Sequence, residues 1–122
     1  MEERPLVTAI VTTCRRPISV VRRALVSVAE QTWRNLEIFL VNDAPEDRTL
    51  AGELETLCAE FENATYLEMP HNSGANAARN FGAKQAKGQF LAFLDDDDQW
   101  APNKLALQLT AITPEAALVY GN

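Results

Sequence analysis

The sequence is poor in the residues that mark the commonest metal and redox sites. It has one histidine and two cysteines in 122 residues. Cys14 and Cys58 lie far apart and show no metal-ligand spacing, and His71 stands in a polar loop without an identifiable partner. No stretch approaches the ~20 apolar residues of a membrane span, and Met1 to Pro5 does not read as a signal peptide. Both cysteines are therefore expected as reduced thiols in a cytoplasmic domain, with the inner face of a membrane open to a longer parent protein. A basic excess is also missing: the formal net charge of −6 argues against a sequence-independent grip on nucleic acid. Neither G-x-G-x-x-G after the first strand nor G-x-x-x-x-G-K-[ST] occurs, which disfavours a nicotinamide or P-loop site. A nucleotide bound here would need a metal for the phosphate handling that a glycine-rich loop does elsewhere. With no internal repeat, low-complexity segment or linker, residues 1–122 are expected to form a single domain.

What is present is ordinary in bulk, 47% apolar and 23% charged, and ordered in pattern. Leu6 to Thr12, Leu36 to Val41, Ala64 to Met69, Gln89 to Leu94 and Ala116 to Tyr120 are apolar runs that predict strands. Between them, Pro17 to Gln31 repeats Ile18, Val21, Leu25 and Val28 at helical spacing. Asp47 can cap a second helix with the stripe Leu50, Leu54, Leu57 and Phe61. Ala75 to Ala86 predicts a third helix with Ala78, Phe81 and Gln85 on one side, and Pro102 starts a fourth carrying Leu105, Leu109 and Ile112. Continuous rather than alternating apolar strands, interleaved with helices, predict an α/β fold: a parallel sheet with helices on both faces. Right-handed crossovers then gather the carboxyl ends of strands one, two and four at one rim. Ending just after a strand with no helix to cover it, the chain is expected to be the front portion of something longer.

That rim carries the chemistry. Asp95 to Asp98 follow the fourth strand directly, and four adjacent carboxylates repel one another unless a cation offsets them. Either they form a solvated acidic turn, or they hold a divalent metal through oxygen ligands. Position favours the metal, because ligands of open α/β sheets bind at the carboxyl ends of strands. Asp43 ends strand two and can accept from a ring N–H or shape an Asx-turn before Pro45. Thr12 and Thr13 offer hydroxyls at the end of strand one, or simply finish it. Arg79 faces the rim and can pair with Asp43, with a bound phosphate, or with solvent. Trp100 is expected to pack on the sheet as a lid over the acidic loop, and Cys14 to fill space at the strand end.

The stretches Val7–Arg16, Leu25–Thr32, Leu36–Asp43, Asn72–Asn80, Gly88–Phe90 and Phe93–Leu105 together resemble the opening of a family 2 glycosyltransferase of the GT-A fold. The match covers nearly the whole chain in order and spacing. The resemblance implies a Rossmann-like nucleotide-sugar-binding half, the N-terminal part of a longer enzyme. Its D-x-D element falls on Asp95-Asp96-Asp97, with Asp97 a ligand of Mn²⁺ or Mg²⁺ and Asp95 near the ribose or the metal. Asp96 and Asp98 are left unranked. Asp43 matches the aspartate that reads the base, typically uracil. Thr12 and Thr13 match the strand end lining the nucleotide, and Arg79 the basic residue near the base. Cys14 departs from the family, which often places an aromatic there to stack on the base.

The implied partner is a nucleotide-diphosphate sugar, probed first as a UDP-sugar, with a glycan, lipid or protein hydroxyl as acceptor and polysaccharide synthesis as the setting. The implied reaction is inverting, with metal as Lewis acid on the leaving diphosphate and a carboxylate base supplied from later in the chain. Two other readings stand beside this one. A nucleotidyltransferase would be expected to carry glycines where Arg15-Arg16-Pro17 stands, and a non-catalytic scaffold would use the rim for a partner.

Overall fold

A computed structural model describes residues 4–111 and 118–120. Its elements alternate: β1 (Val7–Thr13), α1 (Ile18–Ala29), β2 (Leu36–Asn42), α2 (Arg48–Cys58), β3 (Ala64–Glu68), α3 (Ala75–Gln85), β4 (Phe90–Asp95), α4 (Lys104–Ala111) and β5 (Leu118–Tyr120). The five strands form one sheet in the order β3-β2-β1-β4-β5, and every neighbouring pair is parallel. All seven residues of β1 are buried, as the central strand of a sheet covered on both faces requires. Alternate side chains serve the two faces. Val7, Ala9 and Val11 join Ile38, Leu40 and the buried stripe of α1, Val21, Ala24, Leu25 and Val28, with Leu54 and Leu57 of α2. Ile10, Phe39 and Val41 pack on the opposite face with Ala78 of α3. The predicted α/β fold with helices on both faces is the observed one.

Element ends differ from the sequence expectation where a local geometry decides them. Pro17 has ψ 145° and precedes the first helical residue of α1 instead of being it. Residues 102 and 103 form a turn, so α4 begins at Lys104. Gln85 is exposed, and the buried residues of α3 are Ala78 and Gly82. A Cβ at Gly82 would meet Ile10 Cγ2 at 3.0 Å, so this glycine sets how closely α3 rides on the sheet. Ile112, Ala116 and Ala117 of the expected elements lie outside the described residues. Leu118–Tyr120 pairs with Leu91–Phe93 as expected for a fifth strand.

Gln31, 1% exposed, fastens the segment after the aspartates to α1. Its Nε2 donates to Ala101 O at 2.7 Å and Ser27 O at 3.1 Å. Its Oε1 accepts from Leu105 N at 3.0 Å in the first turn of α4, meeting one of the N–H groups that a helix start leaves unpaired. Thr32 N donates to Pro102 O, and Trp100 N to Ser27 Oγ. The acidic turn is thus held between β4 and this fastening.

Candidate functional site

Sheet register brings the polar strand ends to one level. Thr12 lies opposite Val41 on one side and Asp95 on the other, and Thr13 opposite Asn42. The chain passes from β1 to β2 on one side and returns to β4 on the other, so the crevice opens at the switch point of the sheet. A cleft of about 290 Å³ lies there, lined by Thr12, Thr13, Cys14, Arg16, Asp43, Ala75, Ala78, Arg79, Asp95, Asp96 and Asp97. Thr12, Thr13, Asp43, Arg79, Asp95 and Asp97, the residues singled out from sequence, therefore share one wall system.

Asp43 is 4% exposed and does not make the Asx-turn. That role falls to Asn42, whose Oδ1 accepts from Ala44 N at 2.9 Å. The carboxylate of Asp43 instead receives Ser73 N at 2.8 Å on Oδ1 and Gly74 N at 2.9 Å on Oδ2, with Asn72 Nδ2 at 3.3 Å. An anion at the start of α3 suits the positive end of that helix. Gly74 reaches this arrangement with φ 97° and ψ 161°, a backbone region open essentially to glycine alone. Each carboxylate oxygen offers about two acceptor positions, so Asp43 keeps acceptor capacity toward the cleft. Behind it, Asn42 Nδ2 donates to the Tyr66 hydroxyl, which donates to Glu68 Oε1 at 2.7 Å. Burial pushes the Tyr66 hydroxyl up to about 12, keeping it a donor. The Tyr66 hydrogen bond, then Arg48, hold Glu68 below the ordinary carboxylate range.

Arg79 does not pair with Asp43. From the first turns of α3 it donates through Nη2 to Asp95 Oδ1 at 2.9 Å and through Nη1 to Asn76 Oδ1 at 3.0 Å. Arg16 faces the same turn from the β1–α1 loop. Its Nε lies 3.2 Å from Asp96 Oδ1 and its Nη2 3.4 Å from Asp97 Oδ2. Repulsion among the aspartates is thus offset in part by two guanidiniums, so a metal is not the sole remedy that the sequence suggested.

The turn also ranks the aspartates. Asp98 N donates to Asp95 O at 3.1 Å, closing a four-residue turn. Asp96, 6% exposed, points inward and accepts from Cys14 N at 3.4 Å. Asp95, Asp97 and Asp98 each bring one carboxylate oxygen within 4.8 Å of the others. Three hard oxygen donors so placed fit a divalent cation of the Mg²⁺ or Mn²⁺ kind.

Three further placements complete the wall. Thr13 Oγ1 is buried with no hydrogen-bond partner among the described residues. Cys14 is exposed rather than packed at the strand end; its Sγ receives Asn72 Nδ2 and Arg15 Nη1, each at 3.4 Å. Trp100 is no lid: it is 4% exposed and belongs to the core under α1, because Ser27 and Gln31 draw its segment to that face. Arg16 and Asn72 were missed from sequence. An arginine three residues beyond a strand end on the loaded rim was the available signal for Arg16.

Known proteins share this fold and much of its sequence. The chain is 36% identical over 97 residues to an Escherichia coli UDP-Glc:alpha-D-GlcNAc-diphosphoundecaprenol beta-1,3-glucosyltransferase, covering 79% of this chain and 37% of that protein. It is 31% identical over 103 residues to an uncharacterized glycosyltransferase of Rickettsia bellii, covering 82% of this chain and 14% of that one. Among solved structures it superposes with TM-score 0.74 at 27% identity on a Pyrobaculum calidifontis mannosyltransferase in complex with GDP-Man and Mn²⁺, over 85% of this chain and 31% of that one. With Staphylococcus aureus TarS in complex with UDP-GlcNAc the TM-score is 0.65 at 31% identity, over 87% and 30%. The chain thus spans well under half the length of each of these proteins. The sequence profile described as glycosyl transferase family 2 matches residues 8–122, and with it the chain belongs to that family.

Proposed function

We propose that residues 1–122 are the donor-binding part of a longer glycosyltransferase that takes a nucleotide-diphosphate sugar, a UDP-sugar first, with Mn²⁺ or Mg²⁺, for inverting transfer to an acceptor hydroxyl. The observation that carries this reading is the convergence of Asp43, Arg79, Thr12, Thr13 and the aspartate turn on one cleft at the sheet switch point. Asp43 would accept from the N–H of the base, and its fixed position, held by Ser73 and Gly74, leaves little reorganisation on binding. Thr12 and Thr13, at the end of β1, line the nucleotide. Asp95 and Asp97 are the proposed metal ligands, with Asp98 as third donor by its place in the oxygen cluster.

A divalent cation held there would supply Lewis-acid stabilisation of the departing diphosphate. This chain's own share is binding and orientation: the turn fixed by Gln31 and Arg16 aims the carboxylates, and Arg79 holds Asp95 toward the cleft. The base that deprotonates the acceptor hydroxyl is proposed to lie outside residues 1–122. The supporting relatives act on or are bound to UDP-Glc, UDP-GlcNAc and GDP-Man by their own descriptions.

Isothermal calorimetry with UDP and GDP, each with and without Mn²⁺, tests the reading. Metal-dependent UDP binding that disappears in Asp97→Ala is the expected result. Preference for GDP would overturn the base assignment, and binding indifferent to metal and to Asp97 would overturn the metal assignment.

A further inference from the structure

The four carboxylates Asp95 to Asp98 set against the two guanidiniums of Arg16 and Arg79 leave a net of two negative charges, the charge that one divalent cation neutralises. The two arginines are not equivalent. Arg79 holds one carboxylate, Asp95. Arg16 spans two, and they differ in kind: Asp96 is buried and outside the metal-binding cluster, whereas Asp97 is half-exposed and one of the three oxygens in it.

We propose that Arg16 is the resident counter-cation of the aspartate turn and, once donor is bound, a phosphate-binding residue, its Nε staying on Asp96 while its Nη2 leaves Asp97 for the diphosphate. The inference rests on the reading of the cleft as a nucleotide-diphosphate site.

Geometry supports the division of labour. The shorter of the two Arg16 contacts, Nε to Asp96 Oδ1 at 3.2 Å, goes to the buried carboxylate, so the arginine stem is anchored where it enters the cleft. The contact to Asp97 is 3.4 Å long, near the limit of a hydrogen bond, and easily exchanged. A guanidinium carries five N–H donors in a planar fork suited to phosphate oxygens. Arg16 lines the same cleft as Thr13, Arg79, Asp95 and Asp97, the space in which the diphosphate is proposed to lie.

The arrangement gives metal and phosphate opposite responses to the loss of Arg16. In Arg16→Gln, Asp97 loses its competitor for metal, so Mn²⁺ alone binds more tightly, by about twofold to fivefold for an exposed ion pair. Pyrophosphate and UDP, measured by calorimetry at saturating Mn²⁺, bind more weakly by about tenfold to a hundredfold, the range for a charged hydrogen bond. Uridine is unaffected. Arg16→Lys keeps the charge without the fork, recovers part of the pyrophosphate affinity, and serves as the test should the glutamine variant fold poorly. Weaker Mn²⁺ binding in Arg16→Gln, in step with weaker pyrophosphate binding, shows an arginine that merely shapes the turn and overturns the proposal, as does unchanged pyrophosphate affinity. Wild-type chain that binds Mn²⁺ but neither pyrophosphate, UDP nor GDP sinks the functional reading itself, and the phosphate role falls with it.

Discussion

Arg79 Nη2 and Asp95 Oδ1 lie 2.9 Å apart and join α3 to the end of β4 across the cleft. The side chains are 30% and 53% exposed, so the pair adds little to folding. Its consequence is positional. It links α3, whose preceding residues Ser73 and Gly74 donate to Asp43, to the turn that carries the metal-ligand candidates, and it keeps the Asp95 carboxylate on the cleft side.

Replacing Arg79 by alanine should therefore separate stability from binding. Unfolding free energy by urea titration is expected to change by no more than about 1 kcal/mol, as for exposed ion pairs. UDP affinity at saturating Mn²⁺ is expected to fall about tenfold or more, because a charged hydrogen-bonding group leaves the wall. A large loss of stability with unchanged affinity would mark Arg79 as structural.

Legibility in the sequence followed the strength of each physical signal. Strands β1, β2 and β4 sit in the middle of a doubly covered sheet, so their apolar runs are continuous and unmistakable, and α1 and α2 declare their buried stripes by spacing. The convergence of Thr12, Asp43, Arg79 and Asp95 follows from parallel topology alone. What spacing does not encode is the direction of side chains in a tight turn. Asp96 turns inward and Asp98 toward Asp95 and Asp97 because of the closure between Asp98 N and Asp95 O, which nothing in a run of four identical residues announces. Likewise Arg79 pairs with Asp95, while Ser73 N and Gly74 N hold Asp43, a division that spacing does not announce. Trp100 was misplaced because its fate hangs on Gln31 and Ser27, some seventy residues away.

Gln31 offers the test of that long-range control. In Gln31→Leu the volume is nearly kept, but Leu105 N loses its partner in a buried setting, and Ala101 O loses one in a part-buried setting. An unsatisfied buried group costs about 1–3 kcal/mol, and Leu105 N is the one so left, so a destabilisation of about 1–3 kcal/mol is expected by urea titration. Because the same bonds steady the segment after Asp98, Mn²⁺ affinity should fall as well. Unchanged metal affinity in a destabilised variant would show that the turn is fixed by β4 alone.

Alkaline stability should report on Cys58. Its thiol is buried on α2 against the core, and burial, with a smaller contribution from Glu55, pushes it up from 9.0 to about 12. The folded state thus holds the proton more tightly than the unfolded chain. With the folded value raised, the contribution is fully present below about pH 9, the unfolded value, and is lost as pH rises toward 12. Through that window each unit of pH should remove about 1.4 kcal/mol of unfolding free energy for this one group. Tyr66, raised from 10.0 to about 12 mainly by burial, acts in the same direction from pH 10 upward. Urea midpoints of the reduced protein at pH 7.5, 9 and 10.5 should therefore drop between the last two values. Cys58→Ala lowers the midpoint at neutral pH, since it opens a small cavity, yet flattens the decline between pH 9 and 10. A variant that declines as steeply as wild type over that unit would place the alkaline weakness elsewhere than in the buried thiol.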